Sequence, residues 1–160
     1  MTIPARCIMS KEVVTVSPEA TVLETARRLV ARGISAVAVV DGDGRPVGVV
    51  SEGDLMRLFG KEFQSRRAQW LRMLAEGETL APDFLAAIGV DQRHVRDLVR
   101  LPIISAGEQT SVADLVDLML EHSIKRVLIL REGKLVGVVS RTDVLRTVLE
   151  HVESLLEPID

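Results

Sequence analysis

The sequence predicts a mixed α/β fold built from two copies of one β-α-β-β-α unit, and three observations support this prediction. The pentapeptide VGVVS occurs at 47–51 and 136–140, each time followed by an aspartate and then an arginine at the same spacing. Upstream, apolar positions also match, at an offset of 90 instead of 89. The one-residue slip falls in a glycine-containing turn, where hairpins tolerate changes in length. A nearly constant offset indicates duplication of a supersecondary unit.

Each unit is expected to contain the same elements in the same order. Helical spacing places Val22, Leu23, Ala26, Leu29 and Val30 on one face in the first unit. Thr21 and Ser111 precede the two helices as candidate N-caps. Strands are predicted from β-branched and apolar runs at 13–16, 36–40 and 47–50, and at 103–104, 127–130 and 135–139. A second helix is expected to begin at Ser51 and at Ser140.

The first helix of the second unit is apolar around more than half of its circumference. Val112, Leu115, Val116 and Met119 form the expected core stripe, with Leu118 and Leu120 outside it. A helix that is apolar on two faces is usually covered on both. This pattern favours a subunit interface and hence a homodimer, although burial in the chain's own core is the alternative.

Composition excludes several classes of protein. The chain has 160 residues, 47% of them hydrophobic and 27% charged, which is enough apolar material for a folded core. No stretch without Asp, Glu, Lys or Arg is longer than residues 33–40, whereas a membrane-spanning helix needs about 20 apolar residues. The first residues lack the apolar segment of a signal peptide. We therefore expect a cytoplasmic protein with no direct insertion into a membrane.

Metal, nucleic-acid and catalytic sites are also disfavoured. The single cysteine, Cys7, excludes an internal disulfide and a cysteine-rich zinc site, and the three histidines are widely spaced. A net charge of −3 and 2% aromatic residues do not fit a nucleic-acid-binding surface. Neither a phosphate-binding Gly-x-x-x-x-Gly-Lys loop nor a nucleophile motif occurs. We expect no catalytic residues, no metal and no enzyme activity.

Two further features carry a resemblance to a known family. Each unit has glycine, two hydrophobic residues and Ser-x-x-Asp leading into its last helix, and residues 8–18 read IMSKEVVTVSP. Together they resemble a tandem pair of cystathionine-β-synthase (CBS) domains, the Bateman module. The resemblance implies two repeats packed sheet to sheet around a pseudo-twofold axis. It divides the chain into CBS repeat 1 (5–59), a helical insert (60–94), CBS repeat 2 (95–150) and a C-terminal helix extension (151–160).

The resemblance also implies a regulatory module that binds AMP, ADP, ATP, NAD or S-adenosylmethionine in clefts between the paired repeats. The ribose role would fall on Asp54 and Asp143, beside Ser51 and Ser140. The adenine walls would be Val14, Thr15, Val16, Ile34, Ser35 and Val37 in one repeat, and Ile104, Ser105, Ile124 and Val127 in the other. A regulated partner protein is implied, but its identity is not.

The chemistry of these residues is consistent with both a ligand site and a structural role. A carboxylate accepts two hydrogen bonds from a vicinal diol, and phosphate groups favour a helix N-terminus. The alternative is a helix cap, with serine at the N-cap and aspartate at the third helical position. Lys125, Arg126 and Arg141 occupy the positions of Ser35, Ala36 and Glu52 in the first repeat. Either these charges favour phosphate in the second site, so that the two clefts are unequal, or they are solvated surface groups.

The insert and the tail complete the sequence. Phe59, Phe63, Trp70 and Phe84 are all the aromatic residues, and they fit either a helical hairpin packed on its own module or a docking surface. In the tail, Leu145, Val148, Leu149, Val152, Leu155 and Leu156 form an amphipathic stripe that should end before Pro158.

Three functions therefore remain open. The first is an adenine-nucleotide sensor that transmits ligand binding to a partner, and the second is a structural dimerisation module with no bound nucleotide. An enzyme acting on a nucleotide phosphate is the weakest of the three.

Overall fold

The computed structural model describes residues 2–58 and 93–156. Within these residues the elements follow one another as a short helix and then two similar series. The helices are α1 (Ala5–Ile8), α2 (Val22–Arg32), α3 (Glu52–Leu58), α4 (Val112–Glu121) and α5 (Arg141–Leu156), with a 3-10 turn at Val95–Asp97. The strands are β1 (Thr15–Val16), β2 (Ala36–Val40), β3 (Pro46–Ser51), β4 (Ser105–Gly107), β5 (Arg126–Arg131) and β6 (Lys134–Ser140).

The strands form two three-stranded sheets of the same topology, β1-β2-β3 and β4-β5-β6. In each sheet the central strand pairs in parallel with the strand before it and antiparallel with the strand after it. The fold is therefore mixed α+β, and the predicted order β-α-β-β-α is confirmed in both halves.

The first core lies between the first sheet and α2. Thr21 caps α2 through a reciprocal capping box, in which its hydroxyl accepts from Glu24 N and its own N–H donates to the Glu24 carboxylate. Val22 and Leu29 are buried, as predicted. Val30 is 84% exposed, however, so its assignment to the core face was wrong. Thr25 is buried, and it satisfies its hydroxyl by donating to Thr21 O at 2.9 Å.

The second core repeats this arrangement with more apolar residues. Ser111 caps α4, and Leu115 and Met119 are buried beneath it. Leu118 packs against the same core from a half-buried position. Leu120 is 67% exposed, so the second apolar side of this helix is partly open.

One prediction is wrong, and another falls on residues that the structure does not describe. The first strand of the second repeat is Ser105–Gly107, not the apolar run Ile103–Ile104, because parallel pairing with β5 begins where Ser105 meets Leu128. Of the predicted helical insert, residues 60–92 and the aromatic residues Phe59, Phe63, Trp70 and Phe84 lie outside the described residues. The predicted tail helix continues to Leu156.

The packing units differ from the sequence repeats at their edges. The first unit spans Val14–Ile103, and the second combines Met1–Val13 with Ile104–Asp160. The N-terminal segment thus belongs to the unit of the second repeat, where Ala5 is fully buried and donates its N–H to Thr110 O at 2.7 Å.

In each unit, the segment that precedes the first strand of the other unit in the sequence adds a short bridge to the edge of a sheet. Residues 99–100, the first strap, pair with β3 through an antiparallel bridge between Arg100 and Val49. Residues 9–10, the second strap, pair with β6 through a bridge between Ser10 and Val138. Among the described residues, no helix has the length and apolar character needed to cross a membrane.

Candidate functional site

In each unit the predicted site residues collect at one end of the sheet. Ser51, the last residue of β3, is opposite Ala36, the first residue of β2. In the second unit Ser140 is opposite Arg126 in the same way. Since β1 and β4 run parallel to the central strands, their first residues approach the same ends. The two Ser-x-x-Asp turns begin at these serines, so their aspartates lie next to these ends of the sheets.

The Ser51–Asp54 turn is a reciprocal helix cap. Asp54 Oδ2 accepts from the Ser51 N–H at 2.9 Å and from the Ser51 hydroxyl at 3.0 Å. Asp54 N lies 3.3 Å from the Ser51 hydroxyl oxygen. The Ser140–Asp143 turn repeats these contacts at 2.8, 2.9 and 3.2 Å. The predicted caps are thus present in both repeats, and they fix one carboxylate oxygen of each aspartate.

The other carboxylate oxygen has different partners in the two units. Asp54 Oδ1 accepts from Arg57 Nη1 at 2.9 Å and from Arg100 Nε at 2.7 Å, and the Asp54 side chain is only 5% exposed. Within the described residues, Asp143 Oδ1 accepts from Arg146 Nη1 alone, at 3.3 Å, and its side chain is 18% exposed. The second carboxylate is therefore the more open one.

The surroundings of Asp54 favour its ionised form. Burial by itself would raise the pKa of this carboxyl, but hydrogen bonds from the Ser51 backbone, from Arg100 and from the Ser51 hydroxyl outweigh it. The pKa of Asp54 consequently lies below its ordinary value of 3.8. The carboxylate is charged at neutral pH and is held by cationic donors.

The residues expected to form adenine walls differ in accessibility. Val16 and Val37 belong to the first core and Val127 to the second, with exposures of 5% or less. The half-buried members are Val14, Thr15, Ile34 and Ser35 in the first unit and Ile104, Ser105 and Ile124 in the second. The buried valines can offer a ligand only their backbone groups, whereas the half-buried residues also have accessible side-chain surface.

The charges beside the two turns are opposite in sign. In the second unit, Arg141 donates its N–H to Lys125 O and its Nε–H to Ile124 O, both at 3.0 Å, so its guanidinium is anchored at the sheet end. Lys125 and Arg141 are both exposed. In the first unit the position of Arg141 is taken by Glu52, whose N–H donates to Ser35 O at 2.8 Å. The second turn therefore presents positive charge where the first presents a carboxylate.

Arg100 is a site residue that the sequence did not reveal. It lies 46 residues beyond Asp54, and its contact depends on the bridge between the first strap and β3. The only signal in the sequence is the repeat alignment, which pairs Arg100 with Ser10. Within the described residues, no group of three or more His, Cys, Asp or Glu side chains is placed to hold a metal ion.

Comparison with known proteins gives consistent matches. The family model "CBS domain" matches residues 5–61 and 95–150. A curated relative, the uncharacterized protein MK0525 of Methanopyrus kandleri, is 28% identical over 87% of this chain. The chain spans 59% of the length of that relative.

Solved structures share the fold. The structure of CBSX2, a CBS-pair protein from Arabidopsis thaliana, in complex with AMP has a TM-score of 0.70 at 23% identity, covering 93% of this chain and 98% of that one. The CBS domain pair of protein MJ0100, in complex with 5′-methylthioadenosine and S-adenosyl-L-methionine, has a TM-score of 0.68 at 18% identity. It covers 94% of this chain and 99% of that one.

Proposed function

Because this chain belongs to the CBS-domain family, we propose that it is a regulatory module that binds an adenosine-containing ligand at the Asp143 turn. The observation that carries the proposal is the state of the Asp143 carboxylate. Ser140 fixes one oxygen, while the other accepts a single long bond from Arg146 and is partly exposed. Such an oxygen can accept a further hydrogen bond from a ribose hydroxyl.

The charge beside Asp143 indicates which adenosine ligands are favoured. Lys125 and Arg141 are exposed cations at the same sheet end, and α5 begins there, so the positive end of its dipole adds to their charge. These groups favour phosphate, so AMP, ADP, ATP or NAD should bind more tightly than the cationic S-adenosylmethionine. The AMP complex of CBSX2 supports this ligand class.

Ligand binding is proposed to act on a partner. A ligand can shift a conformational equilibrium only if it binds one state more tightly than the other. Residues that order around the ribose and phosphate would provide that difference, and a second protein would respond to it.

A thermal-shift screen tests the proposal. We expect AMP at 100 times its Kd to raise the melting temperature by about 5 to 10 °C, with GTP giving less. Asp143→Ala should remove most of the shift. Asp114→Ala is the matched control, because Ser111 and Asp114 form another Ser-x-x-Asp cap in the same unit, outside the repeated pentapeptide. The absence of any shift with adenine ligands at millimolar concentration would overturn the proposal.

A second function, assembly of a homodimer, is favoured by an apolar face that recurs in both units. Val30 and Leu120 occupy equivalent positions on α2 and α4, and they are 84% and 67% exposed. Met56 and Leu145 are equivalent on α3 and α5, and they are 68% and 62% exposed. In the second unit a groove of about 190 Å³ between α4 and α5 is lined by apolar side chains and Arg141. We propose that a second copy of the chain covers these helix faces, with or without bound nucleotide.

A further inference from the structure

The Asp54 carboxylate is covered by a group from outside its own turn. Arg100 Nε donates to Asp54 Oδ1 at 2.7 Å, which is the shortest of the four hydrogen bonds that this carboxylate accepts from the described residues. The Arg100 side chain is 60% exposed while that of Asp54 is 5% exposed. The guanidinium therefore lies on the solvent side of a carboxylate that is otherwise buried.

The contact with Arg100 takes the last hydrogen-bond acceptor position of Asp54. A carboxylate has about four lone-pair positions for hydrogen bonds. At Asp54 these are taken by the backbone and hydroxyl of Ser51, by Arg57 and by Arg100. A ribose diol thus has no acceptor at Asp54 unless one of these donors leaves. Ser51 and Arg57 belong to the same turn and helix as Asp54, so Arg100 is the donor whose departure leaves the turn intact.

The second unit contains the same arrangement without this donor. Ser10 forms the bridge to β6 that Arg100 forms to β3, and each bridge partner directly follows the glycine of the pentapeptide. A serine side chain cannot span the distance that an arginine spans. In the described part of the chain, Asp143 correspondingly keeps one acceptor position that Asp54 does not have.

We propose that Arg100 is an intramolecular latch that occupies the ribose acceptor of the first repeat, so that the Asp143 site fills first and the Asp54 site binds ligand only after Arg100 is displaced. This inference rests on the proposed ligand function. It names residue 100, paired with residue 10, as the position that sets the number and relative affinity of the sites.

The exposure of Arg100 sets the size of the effect. A guanidinium with most of its surface in water rehydrates readily when it leaves, so the latch weakens the site without abolishing it. We expect the Asp54 site to bind AMP about tenfold more weakly than it does after removal of the latch.

A reciprocal exchange of the two strap residues tests the latch. Isothermal titration calorimetry with AMP measures the number of sites per chain and their affinities. The wild type should show one tighter site, Arg100→Ser should show two of similar affinity, and Ser10→Arg should weaken the Asp143 site. Arg96→Ser is the matched control, because Arg96 is an exposed cation that also precedes β4 but is not among the described hydrogen-bond partners of Asp54. It should behave as the wild type.

The outcomes separate the two proposals. If the wild type binds AMP but Arg100→Ser leaves both stoichiometry and affinity unchanged, the latch is overturned and the ligand function stands. If no variant binds any ligand of the adenine panel, the ligand function is overturned. The role of Arg100 as a competitor of the ligand is then overturned as well. Urea unfolding of Arg100→Ser, Asp54→Asn and the double variant measures their coupling without ligand. A coupling of zero would overturn the contact itself.

Discussion

At the scale of single residues, Asp54 and Asp143 stand in the same Ser-x-x-Asp turn but have different hydrogen-bond partners. The duplicated motif predicts both aspartates and both serine caps, because these contacts span only three residues. It does not predict Arg100, because that contact spans 46 residues and depends on where the first strap packs. The repeat therefore predicts the local contacts, but it does not predict which distant donors each carboxylate binds.

We predict that Asp54→Asn destabilises the chain more than Asp143→Asn does. An amide cannot accept at both positions, so a nearly buried group would lose charge-assisted bonds from Ser51 or from the two arginines. The expected loss is about 2 kcal/mol in the free energy of unfolding, and the more exposed Asp143, with fewer bonds, should lose less. Urea unfolding of both variants at pH 7 measures the difference. Equal losses would contradict the assigned partner sets.

The effect of Asp54→Asn on the free energy of unfolding should depend on pH. Because the pKa of Asp54 in the folded chain lies below its ordinary value of 3.8, its stabilising effect is complete above that pH. It is lost as the pH falls through the lower, folded pKa. The stability gap between wild type and Asp54→Asn should thus be constant from pH 7 to about pH 4 and should shrink below. A gap that shrinks already between pH 7 and pH 5 would contradict this assignment.

At the scale of elements, the two straps explain why the pentapeptide contains glycine. A Cβ at Gly48 would lie 2.5 Å from Val99 Cβ, and one at Gly137 would lie 2.5 Å from Met9 Sδ. Hydrophobic periodicity predicts most of the helices and strands, but not these contacts. Periodicity also predicts Val30 in the core, because an apolar stripe of two turns defines the buried face only coarsely. It misses β4, because a short polar strand has little periodicity.

We predict that Gly48→Ala costs about 1–3 kcal/mol of stability and more than Gly137→Ala. The Val99 Cβ is fixed to its backbone, whereas the flexible Met9 side chain can move aside. A double-mutant cycle with Val99→Gly, read by urea unfolding, should recover much of the cost of Gly48→Ala. Additive effects of the two substitutions would show that the strap does not pack against this glycine.

At the scale of the whole molecule, duplication predicts two similar halves but not their exact membership. Residues 2–13 contain the start of the first repeat and yet pack in the unit of the second, with Ala5 fully buried there. The repeat alignment does not predict this packing, because it depends on contacts that are long in sequence, such as that between Ala5 N–H and Thr110 O. The apolar faces of α2, α3, α4 and α5 are a further property of the whole, since equivalent positions are exposed in both units.

We predict that Leu120→Glu combined with Leu145→Glu converts a homodimer to a monomer at micromolar concentration. Both side chains are largely exposed in the single chain, so the substitutions should leave its fold intact while placing charge in the proposed interface. Sedimentation equilibrium gives the oligomeric state. Leu101→Glu is the control, with a similar exposure of 71% but a position outside the helices. A wild-type monomer, or a double variant that remains dimeric, would contradict this interface.

The most direct test of the ligand proposal is a titration of wild type and Asp143→Asn with AMP and with 2′,3′-dideoxy-AMP, measured by calorimetry. If the Asp143 carboxylate accepts the ribose hydroxyls, wild type should bind AMP at least about tenfold more tightly than the dideoxy analogue. Asp143→Asn should lose the tighter AMP site and keep only the weaker one. Equal binding of both ligands by the wild type, or a tighter site that keeps its preference for AMP in Asp143→Asn, would contradict the assignment.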